Sequence, residues 1–371
     1  MNVKNTEVIY TGEDSIIYKG KHPEFKDVAI KMIRTDNPTE GQIERILNEF
    51  EIGSSLKLTG VRKVFELTKI NNRQAVILEL IDGTSLKRNL SSFSSDIKAF
   101  LDTAIKICTG LSNLHEKNII HKDLNSNNIL LTPDNQIKII DFGISSKFDS
   151  KNNKTGNPIN LEGTLEYISP EQTGRTNRKV YQNSDLYSLG VVLYEMITGQ
   201  LPFKSDDPFE LVHFHIAQIP VTPSEINSQI PQVISAVIMK LLSKNAQDRY
   251  QSALGLQKDF ELIGKSYPSL EDLADFELAQ LDYSSELSIS EKLYGRDSEL
   301  KQLSECFDRV AEGSVELIHL DGKAGVGKSS LVHELQQIFS ESKAIYLEGK
   351  FDQFDKNIPY SALIAAFEGF I

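Results

Sequence analysis

The chain has 371 residues, 40% hydrophobic and 25% charged, enough for two folded domains or for one domain and part of another. Its formal net charge of −12 argues against non-specific binding to nucleic acid. Cys108 and Cys306 are the only cysteines, too few for a disulfide framework or a paired-cysteine metal site, and a reducing compartment fits. The start lacks the apolar core of a signal peptide, and no later run approaches the roughly 18 apolar residues of a membrane span. A cytoplasmic location without membrane attachment is expected of this stretch.

Runs rich in branched and aromatic residues at Glu7 to Tyr10, Val28 to Ile33, Val64 to Ile70 and Ala75 to Leu80 predict a small sheet near the start. Thr39 to Leu58 interrupts them, with Ile43, Ile46, Leu47 and Phe50 at helical spacing behind a Thr39-Glu40-Gly41-Gln42 capping box. One helix is therefore expected to pack on that sheet. After Gly83 the period changes, and Ile97, Phe100, Leu101, Ala104, Ile105, Cys108, Leu111 and Leu114 form a helical apolar stripe. Cys108 reads as a small core residue on that stripe. His213 and His215 form an H-x-H pair without further ligands and read as surface or groove residues. Ser266 to Glu291 is acidic and serine-rich, the composition of a connector, with a helix in it expected to dock on one neighbour. A new αβ pattern starts near Leu293.

The chemistry concentrates in three short stretches: Val28-Ala29-Ile30-Lys31, His121-Lys122-Asp123-Leu124-Asn125-Ser126-Asn127-Asn128, and Asp141-Phe142-Gly143. Moving a phosphoryl group is mostly positioning and charge compensation, and these residue types supply both. Lys31 places a cation over the nucleotide phosphates if Glu49 on the following helix holds it, with Glu51 as a rival partner. Asp123 is the candidate base for an acceptor hydroxyl, while Asn128 and Asp141 offer oxygen ligands to Mg²⁺, which prefers hard donors and retains waters. Taken singly, each has an ordinary reading, such as a surface lysine, an Asx turn or a strand-ending aspartate. Their occurrence together, in this order, makes those readings poor.

The set resembles that of protein kinases. On that resemblance Asp141 to Glu171 is an activation segment ending in Gly163-Thr164-Leu165-Glu166-Tyr167-Ile168-Ser169-Pro170-Glu171. A threonine at the place of Thr164 meets the catalytic aspartate and goes with serine or threonine acceptors. Ser184 to Gly190 resembles the buried helix start that anchors the catalytic loop, and Arg249 the arginine that pairs with Glu171. Gly12, Glu79 and Ile81 are the implied nucleotide contacts of the small lobe. Three departures stand out. The loop Thr11 to Tyr18 keeps one glycine of the usual three, Asn125 replaces a lysine near the transferring phosphoryl group, and Lys122 replaces an arginine, so control by activation-loop phosphorylation is not expected.

A second nucleotide site follows. The β-type run Leu317-Ile318-His319-Leu320 leads into Gly322-Lys323-Ala324-Gly325-Val326-Gly327-Lys328-Ser329, and Leu331, Val332, Leu335, Ile338 and Phe339 take up helical spacing. This is a Walker A motif in its strand, loop and helix context. Backbone amides at Gly322, Gly325 and Gly327 would cradle phosphate, Lys328 would compensate its charge, and Ser329 would coordinate Mg²⁺. No clear Walker B carboxylate follows, so nucleotide binding without hydrolysis is expected, with exposed apolar surface near Ile358 to Ile371.

With Leu161 to Arg178, Lys292-Leu293-Tyr294-Gly295-Arg296 and Gly349-Lys350-Phe351-Asp352-Gln353, both sites resemble the N-terminal part of large bacterial composite signalling proteins. Those join a serine/threonine-kinase-like domain, a P-loop ATPase domain, a GAF sensor and a histidine kinase, and often share the weak glycine loop and the asparagine at the place of Asn125. The expected architecture is an α+β bilobal protein kinase fold over 5–265, with a small β-rich lobe over 5–82 and a helical lobe over 83–265. An acidic linker over 266–292 and an incomplete α/β P-loop NTPase domain over 293–371 follow. The expected function is ATP- and Mg²⁺-dependent phosphorylation of serine or threonine on a protein substrate, in signal transduction, with downstream domains as further partners and nucleic acid excluded. The alternatives are a pseudokinase module regulating an attached ATPase or histidine kinase, and an ATP-driven assembly switch with the kinase part as its input.

Overall fold

The computed structural model describes residues 7–148, 162–175, 178–267, 276–283, 295–323, 326, 328, 331, 332 and 360. Strands β1 (Glu7–Thr11), β2 (Ser15–His22), β3 (Lys26–Ile33), β4 (Val64–Ile70) and β5 (Arg73–Glu79) form an antiparallel sheet in the order β1-β2-β3-β5-β4. The sequence pattern did not separate β2, whose first half falls within the stretch read as a phosphate-covering loop. Only Gly12, Glu13 and Asp14 lie between β1 and β2. Alternation along β3 sorts its side chains: Val28, Ile30 and Met32 face one cluster, while Ala29 and Ile33 face another. The second cluster includes Ile46 of helix α1 (Glu40–Gly53), so Lys31, in phase with Ala29 and Ile33, is turned towards that helix. The anticipated capping box is formed, Gln42 N donating to Thr39 Oγ1 at 3.3 Å and Thr39 N to Gln42 Oε1 at 3.1 Å.

The second lobe is helical, with α2 (Ile97–His115), α3 (Gln182–Thr198), α4 (Pro208–Ala217), α5 (Pro223–Ile226), α6 (Gln232–Leu241) and α7 (Ala253–Ser266). Short strands β6 (Thr84–Ser85), β7 (Ile119–Ile120), β8 (Ile129–Leu131), β9 (Ile137–Ile139) and β10 (Ser146–Lys147) form two small sheets, β6-β8-β9 and β10-β7. The predicted stripe is the inward face of α2, and Cys108 on it is fully buried, which pushes its thiol pKa up. Helix α3 is buried from Ser184 to Ile197 and is the axis on which the lobe packs. His215 corrects its sequence reading. Leucine and aromatic neighbours on α4 turn it inward, where it is fully buried and its Nδ1 shares a 2.9 Å hydrogen bond with the Tyr187 hydroxyl.

Part of the acidic connector is docked on this lobe, over 276–283 as turns and not as the expected helix. Phe276, Leu278 and Ala279 pack against the core, and Ala279 N donates to the buried Asp259 Oδ2 at 2.8 Å. Asp282 accepts from Gln251 N at 2.6 Å, Ser252 N at 2.9 Å and Ser252 Oγ at 2.7 Å, at the start of α7. A Cβ on Gly255 would lie 2.3 Å from Asp282 Oδ1, so only glycine admits the carboxylate there. Beyond it lies α8 (Asp297–Ala311), whose Leu303 packs with Leu331. The run Leu317 to Leu320 is not a strand, contrary to its residue pattern. Leu317 is 97% exposed, and among the described residues nothing pairs with this run, whereas a parallel-sheet strand needs neighbours and covered faces. Among the described residues no helix is long and apolar enough to cross a membrane.

Asp282→Ala in the full chain is expected to destabilise the helical lobe by about 1.5–3 kcal/mol, the value of hydrogen bonds to a charged group. A thermal melt read in the lobe checks it, with Gly255→Ala expected to act in the same direction. An unchanged midpoint in both would show that the docked connector carries no stability.

Candidate active site

Two clusters meet at the junction of the lobes. In the first, Lys31 Nζ lies 2.7 Å from Glu49 Oε2 and 2.9 Å from Asp141 Oδ1. Glu49 rather than Glu51 is the partner because its position on α1 points to the sheet, and it is only 2% exposed. Burial works against the Lys31 ammonium, but Asp141 and Glu49 together raise its pKa above the ordinary lysine value. Burial likewise opposes the Asp141 carboxylate, and Lys31 outweighs it, holding the group below its usual range. Burial pushes the Glu49 carboxyl up, with Lys31 pulling against it. The cation is fixed and charged, and Asp141 is ionised.

The second cluster is the loop after β7. Its shape is set from below by Asp185 of α3, which accepts from His121 N and Lys122 N at 2.8 Å each and lies 3.0 Å from His115 Nε2. Lys122 has a φ of 65°, a strained setting for a non-glycine residue that these contacts enforce. Asp123, next along, accepts through Oδ1 from Thr164 N at 2.9 Å, Thr164 Oγ1 at 2.8 Å and Asn125 Nδ2 at 3.1 Å. Its Oδ2 accepts from Asn128 Nδ2 at 3.0 Å. Asn125 Oδ1 in turn accepts from the backbone N–H groups of Asn127 and Asn128. Ile140 N donates to Asn128 O at 2.9 Å, which places Asp141 beside this loop and joins the two clusters.

The activation segment ends in a buried brace. Arg249 donates to both Glu171 oxygens, at 2.7 and 3.0 Å, and Ser184 Oγ adds a third contact. Burial would raise the Glu171 carboxyl, but Arg249 outweighs it and holds the group below the usual carboxylate range. Gln172 Nε2 donates to Lys122 O at 2.6 Å, tying the segment to the catalytic loop.

Lys31, Glu49 and Asp141 are thus brought together, as are Asp123, Asn125, Asn128 and Thr164. Gly12 lies in the β1–β2 turn, where its N–H donates to Ser15 O. Glu79 closes β5. Its carboxylate is engaged by Lys63 N and Lys138 Nζ, and its carbonyl accepts from Arg62 Nε at 3.1 Å, so its side chain is committed to the strand's neighbours. Ile81 is half-buried just beyond β5. In the second site Lys328 Nζ donates to Gly322 O at 2.6 Å and Lys323 O at 3.0 Å, while Gly325, Gly327 and Ser329 lie outside the described residues. The sequence reading missed Arg62, a buried arginine whose charge acts on Glu49, Asp141 and Glu79. It also missed the role of Asn48, and a buried group in which Glu195 of α3 accepts from Ser126 and Tyr167 and pairs with Lys87. An arginine or a glutamate in an amphipathic stretch gives no sign of burial until the long-range packing is known.

Among the described residues no three His, Cys, Asp or Glu side chains converge as a protein-only metal site. One carboxylate at Asp141 and the Asn128 amide oxygen, whose nitrogen is spent on Asp123, suit a hard cation that completes its shell with phosphate oxygens and water. Mg²⁺ fits that donor set.

A sheet lobe carrying a lysine–glutamate pair, set over a helical lobe carrying this aspartate loop, defines a bilobal protein kinase fold. The protein kinase domain family matches residues 3–260, and the chain belongs to that family. Residues 292–371 match the AAA ATPase domain. The chain is 32% identical to hybrid signal transduction histidine kinase G of Dictyostelium discoideum, over 81% of this chain and 11% of the relative. It is 31% identical to the probable serine/threonine-protein kinase CPE1738 of Clostridium perfringens, over 68% of this chain and 37% of the relative. It is 29% identical to the serine/threonine-protein kinase PknB of Mycobacterium tuberculosis, over 66% and 40%. It therefore spans between about a tenth and two-fifths of these curated relatives.

Glu171→Gln leaves Arg249 buried without a charge partner and is expected to cost about 3–5 kcal/mol at neutral pH, read from a denaturant midpoint. Because the folded-state pKa of Glu171 is depressed, its stabilisation is present above its unfolded pKa near 4 and is lost as pH falls through the folded value. The variant is expected to lose less stability than the parent on acidification below that pH.

Proposed function

We propose that this chain transfers the γ-phosphoryl group of ATP to serine or threonine hydroxyls of a protein substrate, as part of a longer cytoplasmic signalling protein. The observation that carries the reading is the joining of the two clusters: a fixed cation on Asp141, and an aspartate held against Thr164 beside it. Lys31 compensates nucleotide phosphate charge, positioned by Glu49. Asp123 accepts or orients the proton of the acceptor hydroxyl. Thr164 and Asn125 set the direction of its carboxylate. Asp141 and Asn128 would hold Mg²⁺, which supplies charge compensation on the phosphates when bound. Gly12, Glu79 and Ile81 contact the nucleotide from the small lobe, Glu79 at the end of β5 and Ile81 just beyond it. Lys328, with Gly322, Gly325, Gly327 and Ser329, binds a second nucleotide.

The pseudokinase reading draws on the single-glycine turn between β1 and β2 and on the neutral Asn125. The intact Lys31–Glu49–Asp141 set weighs against it, since a binding module has no need of a metal carboxylate held in register with a base. Relatives that include a hybrid signal transduction histidine kinase support downstream domains as partners.

The full chain, incubated with labelled ATP, Mg²⁺ and a generic basic protein acceptor, is expected to place label on serine or threonine. Asp141→Asn is expected to abolish it, and Asp123→Asn to lower kcat by about 10²–10⁴-fold, the contribution of a positioned base. Absence of label from a folded chain whose melting temperature rises with nucleotide would move the assignment to the pseudokinase.

A further inference from the structure

Asn48 stands next to Glu49 on α1 but faces a different target. Its Nδ2 lies 3.0 Å from Phe142 O, 3.0 Å from Gly143 O and 2.9 Å from Ser145 O. All three partners are carbonyl oxygens, so the amide nitrogen must face them, and its two hydrogens are shared among three acceptors. The segment it grips follows directly on Asp141.

That segment has reason to relax. Asp141 has a φ of 69°, a left-handed setting that is strained for a residue with a Cβ and persists only where its surroundings over-determine it. Upstream, Ile140 is fixed by Asn128 O through its N–H and by His121 Nε2 through its carbonyl, 3.0 Å away. The Phe142 ring is buried, edge-on to His121 at 5.4 Å, which holds a side chain but not the backbone after it. Ser145 N donates back to Phe142 O at 3.2 Å and Ser145 Oγ to His121 O at 3.0 Å, and the carbonyls of Phe142, Gly143 and Ser145 are held from the helix side by Asn48.

We propose that Asn48 is a positioning residue that couples helix α1 to the metal-binding segment, so that Glu49 and Asp141 are placed as one unit. The circuit is closed: Asn48 to the Phe142, Gly143 and Ser145 carbonyls, Asp141 to Lys31, Lys31 to Glu49, and Glu49 back to the helix beside Asn48. Outward movement of α1 breaks the ion pair and the three amide contacts together. Lys122, in place of an arginine able to clasp a phosphate bidentately, leaves this tether as a means of holding the segment without modification. The inference rests on reading the site as a phosphotransfer centre, but its test does not need turnover.

Hydrogen exchange on the full chain is the measurement, comparing the parent with Asn48→Asp, which keeps the shape and loses both donors, and with Asn48→Ala. Exchange is expected to quicken together in peptides covering 40–53 and 141–148 while β1 to β5 otherwise keep their protection. In phosphotransfer assays kcat is expected to fall about 10- to 100-fold, as for a misplaced reacting group, with a higher Mg²⁺ requirement and little change in KM for acceptor. Unchanged exchange in both peptides would overturn the proposal. So would quickening spread evenly over the sheet lobe, which would make Asn48 a general stabiliser. A parent chain silent in phosphotransfer yet showing the paired exchange would sink the proposed function and leave the tether standing.

Discussion

The Asp185 carboxylate, buried at the start of α3, is the contact on which the catalytic geometry rests. Helix α3 lies inside the lobe for nearly its whole length, so the carboxylate is carried by a helix that the core encloses. It captures two consecutive backbone N–H groups of a loop that would otherwise not adopt its left-handed turn at Lys122. Burial would favour the neutral acid, but hydrogen bonding and charge from His115, with His121 adding to it, keep the group ionised below the usual carboxylate range. Asp123 inherits its position from that constraint, and Asn128, Asp141 and Lys31 follow through a chain of contacts between 2.7 and 3.0 Å.

The same logic of buried polar groups runs through the lower lobe. Arg249 with Glu171 joins two loops beside the start of α3, Tyr250 with Asp259 ties a loop to α7, and Glu195 of α3 holds Tyr167, Ser126 and Lys87. Such groups add little net stability over an apolar core, yet removing one partner is expensive because the other is left buried and unpaired. They fix which loop conformation the core accepts. The docked connector extends this pattern past α7, with Asp282 seated where Gly255 leaves room.

The sequence made much of this legible because the catalytic residues sit at fixed offsets in short stretches. Lys31 ends a β-type run, Asp123 and Asn128 are five residues apart, and Asp141 ends another run, so spacing alone names them. The capping box of α1 and the stripe of α2 were readable for the same local reason. What was not legible depends on contacts across the chain. Asn48 reads as an ordinary helix residue until the carbonyls 94 to 97 positions away are placed beside it. His215 shows no sign of burial without Tyr187 and Phe203 around it. The Leu317 to Leu320 run has strand composition, but composition does not supply the neighbouring strands that would make it one.

The central claim is that the Lys31–Asp141 centre, and not the second nucleotide site, moves the phosphoryl group. Phosphosite mapping after incubation of the full chain with ATP and Mg²⁺, run in parallel on Lys31→Met and Lys328→Ala, tests it most directly. The account predicts phosphoserine or phosphothreonine from the parent and from Lys328→Ala, and none from Lys31→Met. Transfer that survives Lys31→Met and disappears with Lys328→Ala would contradict it.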